Sequence, residues 1–132
     1  MGLIVQKFGG TSVADTDRLR NVAKIITDTY KAGNQVVAVL SAQGDTTDDL
    51  IAMAGKVNPN ASNREMDMLL STGEQISVSL CAMAIEALGC PVISLTGWQA
   101  GMFTNTVSRN ARIKRVDTER IEAELNQRKI VI

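Results

Sequence analysis

The stretch Gln35-Val36-Val37-Ala38-Val39-Leu40-Ser41 constrains the fold more than any other part of the chain. Its apolar residues are consecutive and mostly β-branched, the pattern of a parallel strand covered on both faces. A strand of that kind needs partners reached by crossover connections, so helices must lie between the strands. The flanking sequence supplies them. Leu3-Ile4-Val5-Gln6-Lys7-Phe8 reads as a short buried strand bounded by Gly9-Gly10, and Asp15 or Thr16 can cap a following helix. Leu19, Val22, Ala23, Ile26 and Tyr30 then recur on one helical face, and Gly33-Asn34 supplies the stop.

Beyond Ser41, Gln43-Gly44-Asp45 turns the chain into a helix from about Thr47 to Lys56 that is expected to bury Leu50, Ile51 and Met53. After the loop Asn58–Asn63 comes a long helix, roughly Arg64 to Leu88. Its expected apolar face is Met66, Leu69, Leu70, Ile76, Leu80, Met83, Ala84 and Leu88. Gly73 interrupts it, at a cost of about 1 kcal/mol against alanine, and therefore needs a structural reason. Gly89 ends the helix, and Pro91–Thr96 reads as a third buried strand. A β-hairpin is expected with strands near Met102–Thr104 and Arg112–Val116. Asp117 is placed to cap a helix containing Ile121 and Leu125, with Arg128 and Lys129 at its C-terminal end. Ile130-Val131-Ile132 reads as the opening of another buried strand, which suggests a chain that continues. The expected class is α/β: a mostly parallel sheet with helices on both faces, truncated.

Composition narrows the chemistry. Fourteen basic residues balance fourteen acidic ones, which argues against nucleic-acid binding through a basic surface. No uninterrupted apolar run approaches the ~20 residues that span a membrane, and Met1-Gly2-Leu3-Ile4-Val5 is too short for a signal peptide, so the expected location is cytoplasmic. Cys81 and Cys90 read as reduced core thiols. The chain has no histidine, which removes Ser-His-Asp and Cys-His mechanisms within it. Chemistry must then rest on positioning, on electrostatics, or on a nucleophile already ionised.

Three segments could carry such chemistry. In Lys7-Phe8-Gly9-Gly10-Thr11-Ser12, between a strand and a helix, two glycines allow close backbone approach to an anion and Lys7 adds a full charge. The pattern is neither a Walker A loop nor a dinucleotide fingerprint, and a plain turn is its alternative. Ser41-Ala42-Gln43-Gly44-Asp45-Thr46-Thr47-Asp48-Asp49 follows the carboxyl end of the second strand, where ligands of open parallel sheets bind; simple helix capping is the alternative. In Ser71-Thr72-Gly73-Glu74, glycine permits a close approach to the helix and Glu74 could pair with a substrate ammonium, or be merely exposed.

Taken in order, these segments resemble the aspartate kinases of the amino acid kinase family. The matching stretches are Val5–Val13, Ser41–Leu50, Arg64–Glu74, Thr96–Gly101 and Asn110–Ile113. The resemblance implies an amino acid kinase-like (carbamate kinase-like) fold and transfer of the γ-phosphoryl of ATP, with Mg2+, to the side-chain carboxylate of L-aspartate. That reaction opens lysine, threonine and methionine biosynthesis. A carboxylate nucleophile is ionised at neutral pH and needs no general base, so positioning and charge neutralisation carry catalysis.

By the same resemblance, Lys7 would be catalytic, neutralising the transferring phosphoryl group, and Phe8, Gly9 and Gly10 would complete the nucleotide loop. Ser41 would sit at the junction of phosphoryl and aspartate. Thr47 and Glu74 would hold aspartate, with Glu74 facing its ammonium. The family also implies homo-oligomers, and places the nucleotide half and the regulatory ACT domains beyond residue 132, so that this piece alone would be incompetent. Ser108-Arg109 stands where many relatives carry His-Gly. Acetylglutamate, glutamate, carbamate or uridylate kinases, and a non-catalytic folded fragment, are the alternatives.

Overall fold

The computed structural model describes all residues from Met1 to Ile132. Its elements run β1 (Leu3–Phe8), a 3-10 turn (Gly10–Val13), α1 (Thr16–Lys31), β2 (Gln35–Leu40), α2 (Thr46–Val57) and α3 (Asn63–Ala87). There follow β3 (Val92–Ile93), β4 (Met102–Thr104), β5 (Ile113–Val116), α4 (Glu119–Asn126) and β6 (Ile130–Val131). Four strands form a parallel sheet in the order β1-β2-β6-β3, and β4 and β5 form a separate antiparallel hairpin.

The strand order decides where the helices go. β1 to β2 and β2 to β3 step across the sheet in one direction, whereas β3 to β6 steps back. Right-handed crossovers therefore put α1 and α3 on one face and α4 on the other. Contacts agree: α1 packs against α3, and Gln35 Nε2 donates to the Leu125 carbonyl of α4. The core lies on the α1–α3 side. Val36, Ala38 and Leu40 of β2 alternate into it, joined by Leu19, Val22 and Ile26 of α1, Cys81 and Ile85 of α3, and Ile130 and Ile132.

The α4 face is thinly covered, and two expectations change there. β1 is an exposed edge strand, not a buried one: Leu3 is 55% and Val5 65% exposed, because no strand pairs with its outer edge and α4 does not reach it. In β2 the run that reads as covered on both faces leaves Val39 48% exposed on the α4 side. β3 is shorter than Pro91–Thr96 and half-buried, since it is the other edge of the sheet. The final apolar residues do form a buried strand, β6, wedged between β2 and β3.

Both long-helix expectations are corrected. None of α2 is buried; Leu50 is half-buried, while Ile51 and Met53 are exposed because α2 lies at the rim and touches chiefly α3. The buried stripe of α3 is Gly73, Ser77, Cys81 and Ile85. Ile76, Leu80, Met83 and Leu88 are exposed, and Met66, Leu69, Leu70 and Ala84 half-buried. Small residues at every fourth position let the helix backbone approach the sheet and α1, which outweighs side-chain hydrophobicity in choosing the inward face. By length and average composition α3 could cross a membrane, but Asp67, Glu74 and Glu86 interrupt its apolar residues and its buried stripe packs into the core.

Other local readings hold, except the cap of α4. Asp15 caps α1, its Oδ1 accepting from Arg18 N–H at 2.8 Å. Gly33 and Gly89 follow α1 and α3 at φ +98° and +79°, the left-handed region glycine favours. The hairpin forms close to its expected bounds, with a bulge between Phe103 and Thr104. Asp117 stands one residue before the cap position of α4, taken by Thr118; its Oδ1 accepts from Glu119 N–H at 3.0 Å. Cys81 and Cys90 are buried and unpaired, and burial pushes the Cys81 thiol up to about 11.

Candidate active site

The loops after β1 and β2 lie side by side at the carboxyl ends of their strands, where an open parallel sheet leaves its crevice. The six-residue register between the strands delivers them together, ending at the pair Phe8–Leu40. Past it, Ser41 N–H donates to the Phe8 carbonyl at 3.2 Å and Gly44 N–H to the Gly10 carbonyl at 3.0 Å. Gln43 Nε2 donates to the Val13 carbonyl at 2.9 Å, tying the second loop to the 3-10 turn.

The two glycines of the first loop differ. A Cβ on Gly10 would stand 2.9 Å from the Ala42 carbonyl oxygen, so this residue is required by the neighbouring loop. A Cβ on Gly9 would meet nothing within 4 Å. Gly9 thus faces open space beside a helical turn, the kind of place where an anion can approach backbone N–H groups. Lys7 pairs in register with Val39, on the thinly covered α4 face; it is exposed and makes no ion pair. Phe8 points the other way, its side chain lining a cavity of about 550 Å3 with Thr11, Arg18, Asn21 and Ile25 of the α1 side. Only its backbone belongs to the joined loops.

From the other side, α3 closes on the second loop. A Cβ on Gly73 would lie 3.0 Å from Ala42 Cβ and 3.5 Å from Thr46 Cγ2, the structural reason for a glycine in this helix. One turn on, the Ser77 hydroxyl donates to the Ser41 carbonyl at 2.7 Å and lies 3.1 Å from the Glu74 carbonyl. Glu74, exposed and free of ion pairs, lines a cavity of about 530 Å3 with Leu40, Ser71, Thr96, Gly97 and Trp98. Thr47 is half-buried in the first turn of α2 and does not line that cavity. Asp45 occupies the cap position of α2 without a side-chain capping bond.

Of the residues singled out in the sequence, Gly9, Gly10 and Ser41 lie on the joined loops, Lys7 stands at the end of β1 just before them, and Glu74 opens on a cavity reaching Leu40, beside Ser41. Thr47, in the first turn of α2, does not line that cavity, and the Phe8 ring faces the α1 side. Sequence reasoning missed Ser77 and gave no separate role to Gln43 and Thr96, although both fall in stretches it named. Ser77 has a recognisable signal, the four-residue spacing of small side chains at 73, 77 and 81. Gln43 and Thr96 carry none, being ordinary loop polars until the loops are placed; Thr96 Oγ1 is buried without a partner.

Comparison with known proteins follows the same outline. The model of the amino acid kinase family matches residues 2–132. An aspartokinase from Bacillus sp. strain MGA3 is 53% identical over all 132 residues, which cover 32% of that protein's length. The crystal structure of aspartate kinase from Synechocystis superposes with a TM-score of 0.83 at 45% identity, over 98% of this chain and 21% of that one. E. coli aspartokinase III, in complex with aspartate and ADP, has a TM-score of 0.81 at 20% identity over 96% of this chain and 39% of that one; at that identity it speaks to the fold alone. The chain spans about a third of the length of the curated relatives it matches. With a parallel sheet in this order and joined glycine loops at its carboxyl ends, the chain belongs to the amino acid kinase family.

Proposed function

We propose that the chain is the N-terminal portion of the catalytic domain of an aspartate kinase, which transfers a phosphoryl group from ATP to L-aspartate and forms 4-phospho-L-aspartate. The observation that carries this reading is the joining of the two loops, Gly44 N–H to Gly10 carbonyl, with free Lys7 at one side and unpaired Glu74 at the other. In this reading Lys7 neutralises the transferring phosphoryl group, and the backbone of Phe8, Gly9 and Gly10 cradles phosphate oxygens. Ser41 stands between phosphate and acceptor, Glu74 takes the substrate ammonium, and Thr47 helps to hold aspartate.

ATP supplies the phosphoryl group, and Mg2+ would be carried largely on its phosphates, because no three carboxylate or thiol groups of this chain converge on one point. The relatives support the substrate: Bacillus proteins 53% and 48% identical to this chain are aspartokinases. A cytoplasmic, homo-oligomeric enzyme of lysine and threonine biosynthesis completes the proposal.

Calorimetric titration with L-aspartate and with Mg-ATP tests it on the chain itself and on Glu74→Ala and Lys7→Ala. Saturable aspartate binding that Glu74→Ala removes, and nucleotide binding that Lys7→Ala weakens, are expected. A folded chain that binds neither ligand would favour the second reading, a structural piece whose pocket forms only with more chain; coverage of about a third of the relatives' length is what recommends that reading. A phosphoacceptor screen of a longer enzyme carrying this segment separates aspartate from acetylglutamate, glutamate, carbamate and uridylate kinase chemistry.

A further inference from the structure

Ser77 is the only serine of α3 that is buried, at 0% exposure, and the only one whose hydroxyl leaves its own helix. Ser71 and Ser79 bond back to carbonyls of α3, the usual habit of a helical serine. The Ser77 hydroxyl makes its shorter bond outside the helix, to the Ser41 carbonyl at 2.7 Å in the loop that follows β2. The same oxygen is 3.1 Å from the carbonyl of Glu74, one turn earlier. On that preceding turn, the missing side chain of Gly73 lets Ala42 and Thr46 approach the helix.

We propose that Ser77 is a positioning residue that fixes the Ser41–Thr46 loop against the Glu74 turn. It would thereby set the distance between the phosphoryl end and the ammonium end of the substrate site. The proposal rests on the aspartate kinase reading for its substrate, and on the structure alone for the brace. A hydroxyl is needed because the part-buried Ser41 carbonyl accepts from no other group, and an acceptor stripped of its donor loosens what it holds. The side chain must also be small, since Ser77 lies in the stripe by which α3 packs on the core. It contacts no reacting atom in this scheme and acts through Ser41 and Glu74.

The test compares Ser77→Ala with Ser77→Cys, a similar volume with a weaker donor, and with Ile85→Val, a core change two turns along the same buried stripe. Amide exchange is read at Ser41, Gly44 and Thr46, whose N–H groups donate to Phe8, Gly10 and Gln43. In Ser77→Ala these three exchange about tenfold faster, as expected for loss of one buried hydrogen bond, while Ile85→Val leaves them unchanged. Ser77→Cys lies between. In the same samples L-aspartate binds about tenfold more weakly to Ser77→Ala, with partial recovery in Ser77→Cys.

Equal exchange in Ser77→Ala and the parent chain overturns the brace. Faster exchange with unchanged aspartate affinity overturns its role in the substrate site. A parent chain that binds no aspartate favours the second reading, a structural piece whose pocket forms only with more chain, and the exchange comparison still decides whether Ser77 holds the loop.

Discussion

Gly44 N–H donates to the Gly10 carbonyl at 3.0 Å, and this bond joins the two loops that the sequence places 34 residues apart. It brings Ala42 close enough that a Cβ on Gly10 would be 2.9 Å from the Ala42 carbonyl oxygen. Gly10→Ala should therefore lower the melting temperature, by the ~1–3 kcal/mol typical of overpacking. Gly9→Ala should not, because Gly9 has φ −77° and ψ 171°, which alanine adopts freely, and open space beside it. Restricting the unfolded chain should even stabilise it by about 0.4–1 kcal/mol. If the space beside Gly9 is ligand space, Gly9→Ala will melt no lower than the parent and still lose phosphate affinity. Thermal melts with and without ATP read both effects, and normal nucleotide binding by Gly9→Ala would remove that loop from the site.

Gly73→Ala opposes two effects. Helix propensity favours alanine by about 1 kcal/mol. Against that, the new methyl would sit 3.0 Å from Ala42 Cβ, and Ala42 cannot retreat. Its loop is held by Ser41 to Phe8, Gly44 to Gly10, Gln43 to Val13 and Ser77 to Ser41. The clash should win, with a net loss of about 1 kcal/mol in a denaturant titration. A gain in stability would show that the loop is softer than this bonding implies.

Asp67 and Arg109 form an unequal pair. Asp67 Oδ2 accepts from the backbone N–H of Arg109 at 2.8 Å, whereas the side-chain ion pair is 3.8 Å long and both partners are 43% exposed. Arg109 also has φ +67°, where a side chain is strained and glycine is not. Arg109→Gly keeps the N–H bond and relieves the strain, so it should cost less than Asp67→Ala, which leaves the hairpin tip untethered. The expected difference is about 1 kcal/mol by chemical denaturation.

Glu124 supplies a pH dependence. It is 7% exposed and accepts from Lys129 Nζ at 2.6 Å and from Arg120 Nε at 2.9 Å. The Lys129 hydrogen bond foremost, then Arg120, holds its carboxyl below the usual value, although burial pulls the other way. A carboxyl lowered on folding contributes stability that is fully present above its unfolded pKa of about 4.3 and is lost as pH falls through the folded value. Melting temperatures of the parent and Glu124→Gln should differ at pH 7 and converge as pH drops below the ordinary carboxylate range. A difference independent of pH would mean that the Glu124 charge contributes nothing.

Much of the architecture follows from local chemistry that the chain writes out residue by residue. The strand β2, the Asp15 cap, and the glycines ending α1 and α3 are decided within a few residues, because β propensity, capping and left-handed backbone are local matters, whereas the cover over Val39 is not. Lys7-Phe8-Gly9-Gly10 could likewise be recognised as a loop suited to an anion, and Gly73 as an irregularity in need of a cause. Sequence could not choose which face of α3 turns inward. Periodicity favoured the large apolar side chains, whereas the tertiary structure buries Gly73, Ser77 and Cys81, because close backbone approach to the sheet and to α1 requires small residues. Nor could it distinguish Gly9 from Gly10, or find the Ser77 brace. Those depend on where a second loop, distant along the chain, comes to rest, and the register of β1 on β2 and the packing of α3 against them decide that only once the chain has folded.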